Sequence, residues 1–237
     1  MFRSVSRSPL ARAGAPARRV EARARRFLGC LRPGGTGATV IALLAAAAPP
    51  AASQGASLAA RAMGRPDAPL TIYEASDFQC PYCRNFAIET LPALEREYVK
   101  TGKVRFVFLN YPVPALHRYA LLAAEVAMCA AAQGKFWRLH DLLFQRQPRW
   151  ATLPDPGPYL RALADSAGAA PAPLARCVAN QASEPAVAAD VALASRFGAR
   201  TTPTFIIEGG LVEGAAPIDV FREVLDSIYR AKVGPPH

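Results

Sequence analysis

Cys80 and Cys83 stand three residues apart in DFQCPYCRNF (residues 77–86), with Pro81 and Tyr82 between them and Arg84 directly after. A pair at this spacing suits three kinds of chemistry: half of a zinc site, a structural disulfide, or a dithiol that cycles between oxidised and reduced forms. Zinc needs about four ligands. Beyond the pair the candidates are Cys129, Cys177, His117 and His140, and they include no second close pair. No metal and no other cofactor is therefore expected. Spacing alone leaves the structural bridge and the redox dithiol both open.

Position within the fold bears on what the pair can do. PLTIYEAS (69–76) alternates in part and is rich in β-forming residues, which predicts a strand. A helix is expected from about residue 81 to 100, with Ala87, Leu91, Leu94 and Tyr98 as one buried stripe. Pro92 falls inside it and should kink it, because proline removes a backbone donor and crowds the preceding turn. KVRFVFLNY (103–111) predicts a second strand. The cysteines thus lie at a strand-to-helix junction. Cys80 is expected at the exposed N-terminal end of the helix, where unpaired N–H groups and partial positive charge stabilise a thiolate. Its pKa should then fall well below the free value of about 8.5. Pro81 is tolerated in the first turn, and Arg84 adds a cation nearby. Cys83, one turn further in, should be more buried. Stabilising the thiolate stabilises the reduced form and makes the disulfide a stronger oxidant. Glu74 shares a strand face with Leu70 and Ile72. A carboxylate buried there is costly unless it is used, so Glu74 is either a working acid or an exposed edge residue.

The remaining sequence turns helical and then returns to β. Helices are expected at 116–133, 134–145, 158–168, 172–181 and 185–197, punctuated by Pro and Gly. Phe136, Trp137, Leu139, Leu143 and Phe144 should form the core of this block, with His117 and His140 as helix-surface or packing residues. TPTFIIEGGLVEG (202–214) predicts two strands joined by a Gly-Gly turn. A last helix over 218–232 carries Val220, Phe221, Val224, Leu225 and Ile228 on one face. Cys129 and Cys177, both in the helical block, either bond to each other or pack as buried free thiols.

Charge is unevenly spread. Of the net +10, +8 lies in residues 1–60 and only +2 in the rest. The body has no polycationic face to follow phosphates, so nucleic acid is not an expected partner. The Arg-rich start leads into the apolar run GATVIALLAAAA (37–48) and then PPAASQ. Twelve apolar residues are too few for a bilayer span, which needs about 20. They suit the apolar stretch of an export signal over 1–53, with Ala51-Ala52-Ser53 as a cleavage site; a mitochondrial presequence has similar composition. Residues 54–66 read as a flexible lead-in. Export would place the chain in an extracytoplasmic, periplasmic compartment with no stable membrane span in the mature form, and the even count of four remaining cysteines fits an oxidising setting.

APLTIYEASDFQCPYCRNF, LLAAEVAMCAAAQGKFWRLHDLLF and TTPTFIIEGGLVEGAAPIDVFREVL occur in an order that resembles the DsbA-like thiol:disulfide oxidoreductases, over about residues 64–232. The resemblance implies an α/β thioredoxin-like fold at 67–114 and 198–232, interrupted by a helical insertion at 115–197. It implies an exported oxidase that donates the Cys80–Cys83 disulfide to folding proteins through a mixed disulfide at Cys80. Its partners would be thiol- or disulfide-containing proteins and a redox partner that resets the pair. A reductase or isomerase of the same fold, or a binding module with an inert bridge, is the alternative. The resemblance further implies that Thr202-Pro203 is a cis-proline loop facing the cysteines, and that Thr202, Pro203, Pro81 and Tyr82 meet the substrate. Glu74 would sit beneath Cys83, and Cys129–Cys177 would form a second bridge. Ala199-Arg200-Thr201 departs from the Val-Arg-Gly common at this point in the family, which touches the loop beside the site.

Overall fold

A computed structural model describes residues 58–234; the expected export signal lies outside the described residues. Five strands form one mixed sheet: β1 (Ala62–Met63), β2 (Leu70–Ser76), β3 (Val104–Asn110), β4 (Thr204–Ile207) and β5 (Gly210–Glu213). Their order is β1-β3-β2-β4-β5. β2 and β3 run parallel, and every other pairing is antiparallel. This is a thioredoxin-like arrangement, with β2 in the centre.

The helices are α1 (81–99), α2 (Ala120–Ala131), α3 (Phe136–Gln145), α4 (Gln147–Trp150), α5 (Gly157–Ser166), α6 (Pro171–Ala179), α7 (Glu184–Arg196) and α8 (Ile218–Val233). α1 is not the uniform helix the periodicity predicts. It is α-helical at Pro81–Asn85 and Leu91–Leu94 but π-helical at Phe86–Thr90 and Glu95–Val99. Pro92 has no N–H to give the preceding turn, so the ladder widens before it, and the Leu91 N–H reaches the Phe86 carbonyl. The wider turns move the buried stripe. Ala87 is only half-buried, whereas Phe86 is fully buried against Phe205, Phe106 and Phe221.

Two large cores dominate the described residues. One lies between α1, α8 and one face of the sheet, around Leu70, Ile72, Phe86, Phe106, Phe205 and Phe221. The other joins Phe78, Cys80, Cys83 and Phe108 to the helical block, including Phe136, Leu139, Leu143 and Phe144. The redox turn is therefore built into the core of the insertion.

Several expectations are corrected. Residues 58–66 are not a loose lead-in: β1 pairs with β3, and Arg61 is buried, bonding the Phe108 carbonyl and the Asp190 carboxylate. A buried charge must be paired, and Asp190 also accepts from the Asn110 backbone and side chain. The expected insertion 115–197 also divides. α7 lies on the second face of the sheet, its Ala194 packed with Ala75, Val107 and Ile206; the small alanine permits that close approach. The hairpin turn is Glu208-Gly209, not Gly-Gly, since Ile207 pairs with Gly210. Both turn residues have positive φ (48° and 87°), as a two-residue turn matched to strand twist requires. Val220, expected on the inner face of the last helix, is exposed. Among the described residues no helix is long and apolar enough to cross a membrane.

Candidate active site

The site grows from the C-terminal end of β2. That strand ends at Ser76, the chain turns through Asp77 and Phe78, and Cys80 caps α1 with extended backbone (φ −70°, ψ 126°). Pro81 opens the helix, where its missing donor is not needed. Pro81 and Tyr82 face solvent, Tyr82 at 63% exposure, and both cysteines are free thiols.

Cys80 is less exposed than its position at a helix end predicts, at 4%, while Cys83 is completely buried. The recess is closed by Thr202, whose carbonyl accepts from the Cys80 thiol at 3.4 Å. The Thr202-Pro203 bond is cis, and the Thr202 carbonyl holds this loop against Cys80. Beside it, Ala199 is buried and its carbonyl accepts from the Tyr111 hydroxyl, while the Thr201 carbonyl accepts from the Thr204 hydroxyl. The unusual Ala-Arg-Thr stretch is thereby fastened at both ends.

The two thiols are driven apart electrostatically. Cys80 is lowered to about 6, first by a hydrogen bond from the Cys83 side chain, then against desolvation by the Thr202 side chain and the N–H groups of Cys83 and Tyr82. The stabilising groups are hydrogen-bond donors at the helix start and on the Thr202 loop, not the Arg84 cation expected from sequence. Cys83 is pushed up, first by burial, then by the hydrogen bond and charge of Cys80 and the charge of Glu74. One sulfur is poised to ionise and the other to keep its proton.

Glu74 lies on the central strand, paired in register with Phe108 and Phe205, and is completely buried. It is not an edge residue. Neither carboxyl oxygen has a hydrogen-bond partner. Desolvation raises its pKa to about 8, with the nearby Ser76 hydroxyl partly opposing and the charge of Cys80 adding to the rise.

Other contacts to the redox turn escaped the sequence reading. Gln147, buried on α4, donates both Nε2 hydrogens, to the carbonyls of Phe78 (2.8 Å) and Cys80 (2.9 Å). The Gln79 side chain accepts from the Tyr119 N–H. His117 is not a helix-surface residue: it precedes α2 and meets the buried Asp77 carboxylate at 2.8 Å. His140 is fully buried among Phe78, Phe108, Phe136, Trp137 and Phe144. Only the adjacency of Asp77 to the cysteines was a usable sequence signal; a glutamine 67 residues beyond Cys80 carries none. Away from this turn, Cys129 on α2 and Cys177 on α6 are disulfide-bonded, with Cα atoms 5.8 Å apart.

A family model described as thioredoxin matches residues 57–227. Disulfide bond formation protein D of Bacillus subtilis is 26% identical over 175 residues, covering 72% of this chain and 77% of that protein. The Na(+)/H(+) antiporter NhaA 3 of Salinispora tropica is 43% identical over 84 residues, 35% of this chain; the match spans only 12% of the antiporter. Among solved structures, oxidised BdbD from Bacillus subtilis superposes with a TM-score of 0.65 at 26% identity, covering 72% of this chain and 92% of BdbD. The α-DsbA1 protein of Wolbachia pipientis shares the fold, with a TM-score of 0.64 at 21% identity over 73% of this chain and 92% of that one.

Proposed function

The chain belongs to the thioredoxin family, and on that premise we propose that it is a thiol:disulfide oxidoreductase acting as an exported oxidase of protein thiols. The observation that carries this reading is the split between the two sulfurs: Cys80 lowered to about 6 beside the cis Thr202-Pro203 loop, and Cys83 raised one turn deeper. The likeness to disulfide bond formation protein D supports it.

In the oxidised protein, a substrate thiolate attacks the Cys80 sulfur. The Cys80–Cys83 bond breaks, a mixed disulfide forms at Cys80, and Cys83 departs with the electron pair. Buried as it is, Cys83 must be protonated promptly, and Glu74, whose charge acts on Cys83, holds a proton up to about pH 8. A second substrate thiolate then attacks the mixed disulfide, releasing an oxidised substrate and Cys80 as thiolate. The low pKa of Cys80 makes it a good leaving group. Two electrons pass to the dithiol, and a redox partner must remove them to restore the disulfide. Run backwards, Glu74 takes the proton from Cys83 so that it can resolve the mixed disulfide. Pro81, Tyr82, Thr202 and Pro203 are the residues that would meet the substrate, and the leader in residues 1–53 would direct the chain out of the cytoplasm.

The equilibrium potential of the pair against glutathione tests the direction. An oxidase is expected at about −180 mV or above, whereas a value near the roughly −270 mV of thioredoxin would make the protein a reductase. Cys83→Ser should trap proteins as mixed disulfides at Cys80. A variant that traps nothing would leave only an inert bridge.

A further inference from the structure

We propose that Asp77, braced by His117, positions the resolving sulfur of Cys83, so that these two side chains govern the second step of thiol exchange; the inference rests on the function proposed above. Asp77 touches both cysteines through its backbone. Its carbonyl accepts from the Cys80 N–H at 3.0 Å, and its own N–H donates to the Cys83 sulfur at 3.4 Å. A peptide N–H aimed at Cys83 helps when that sulfur carries negative charge, which is when it leaves or attacks. The peptide helps only while it keeps its orientation, and the Asp77 side chain fixes that orientation.

The carboxylate is completely buried, so its oxygens must be satisfied where they stand. One oxygen accepts from the Gln79 N–H at 2.8 Å. The other accepts from the Val113 N–H at 2.9 Å and from His117 Nδ1 at 2.8 Å. In either charge state of the ring, Nδ1 carries the hydrogen that the carboxylate receives. His117 is the one side-chain donor in this set, and its own side chain is 19% exposed. It can be altered with little disturbance of the core. Removing it leaves that buried carboxylate oxygen held by the Val113 N–H alone, which loosens the residue that supports Cys83. Cys80 is less dependent on Asp77. Its sulfur is held by Cys83, by Thr202 and by N–H groups of the helix start.

Reduced protein mixed with 5,5′-dithiobis(2-nitrobenzoate) separates the steps. Cys80 thiolate attacks the reagent, forms a mixed disulfide and releases one thionitrobenzoate. Cys83 thiolate then attacks the Cys80 sulfur, closes the Cys80–Cys83 bond and releases the second, so the reagent is the two-electron oxidant. Stopped-flow absorbance reads both releases. In His117→Ala the second release should slow about tenfold and the first by less than about twofold, as expected on losing one charge-assisted hydrogen bond. Asp77→Asn should show the same split. His117→Asn places an amide N–H where Nδ1–H stands, and should restore the second release to within about threefold of the native rate. Native resolution in His117→Ala, equal slowing of both releases, or failure of His117→Asn to rescue would each overturn the proposal. A native protein that released only one equivalent would instead overturn the functional reading, and this inference with it.

Discussion

Cys80 and Cys83 are chemically one dithiol and physically two different groups. Because Cys80 ionises near pH 6 and Cys83 far above it, iodoacetamide at about pH 6 should modify Cys80 and spare Cys83. Peptide mapping of the reduced, briefly alkylated protein checks this, and label found first on Cys83 would reverse the assigned roles. Glu74 is the third residue of the set. Its oxygens are buried and unpaired, an arrangement that costs stability and persists where the group has work to do. Glu74→Gln should slow resolution of a trapped mixed disulfide near neutral pH while leaving attack at Cys80 largely intact. It should also raise stability. The folded pKa of about 8 lies above the unfolded value near 4.5, so the native state binds the extra proton and stability falls as pH rises between those values. Replacing the acid removes that loss, at most roughly 4 kcal/mol at pH 8. Denaturant midpoints of both proteins at pH 5 and pH 8 measure it; equal pH slopes would contradict the assignment.

Among the elements, the helical block is anchored to the redox turn by polar contacts and is closed separately by a disulfide. Gln147 on α4 holds the backbone carbonyls of Phe78 and Cys80, and the loop before α2 holds the side chains of Asp77 and Gln79. The Cys129–Cys177 bond joins α2 to α6 across a sequence separation of 48. In the chain-entropy account, closing a loop of that length stabilises by about 4 kcal/mol. The double substitution Cys129→Ala/Cys177→Ala should therefore lower unfolding free energy by about that amount. The rate at which Cys80 reacts should stay within about twofold, because none of the polar contacts to the turn passes through the bridge. Urea unfolding paired with thiol-reaction kinetics tests both halves. A large loss of Cys80 reactivity would show that the disulfide also shapes the site.

For the whole molecule, the redox state and the stability are linked through protons. In the reduced protein the Cys80 pKa of about 6 lies below the reference value of 9.0, so between these values the unfolded chain binds more protons than the native one. Stability of the reduced form gains from this group as pH rises from about 6 to 9. The disulfide form has no such titration. Above that window Cys83, whose folded pKa is raised, acts in the opposite sense and the gain declines. The reduced-minus-oxidised difference in unfolding free energy should thus grow from pH 6 to pH 9. Paired denaturation curves at several pH values test it, and a difference that stays flat would mean the Cys80 thiolate is not selectively stabilised by the fold.

Much of this architecture is written locally. The partial alternation in residues 69–76, the β-rich run at 103–111, the turn chemistry around Cys80 and the paired cysteines are short-range patterns, and they place a dithiol at a strand-to-helix junction wherever the chain folds. Order and spacing of those segments also pointed to the thioredoxin-like sheet. The corrections come from contacts between distant residues. Pro92 showed that α1 must deviate, but only the tertiary structure shows that Phe86, in the widened turn before it, packs on Phe106, Phe205 and Phe221. Arg61 fell within the expected flexible lead-in until Asp190, 129 residues away, gave it a buried partner. The same holds at the site. Cys80 at a helix start can be read from the local sequence, whereas the Thr202 loop that covers it, 122 residues on, was expected only from the family resemblance. The residues around Glu74 left a buried acid and an edge residue both open, and the pairing of β2 with β3 and β4, which makes its strand central, decides for burial. A local pattern fixes which side chains share a face; what covers that face, and so which charges lose water, is decided by the tertiary structure.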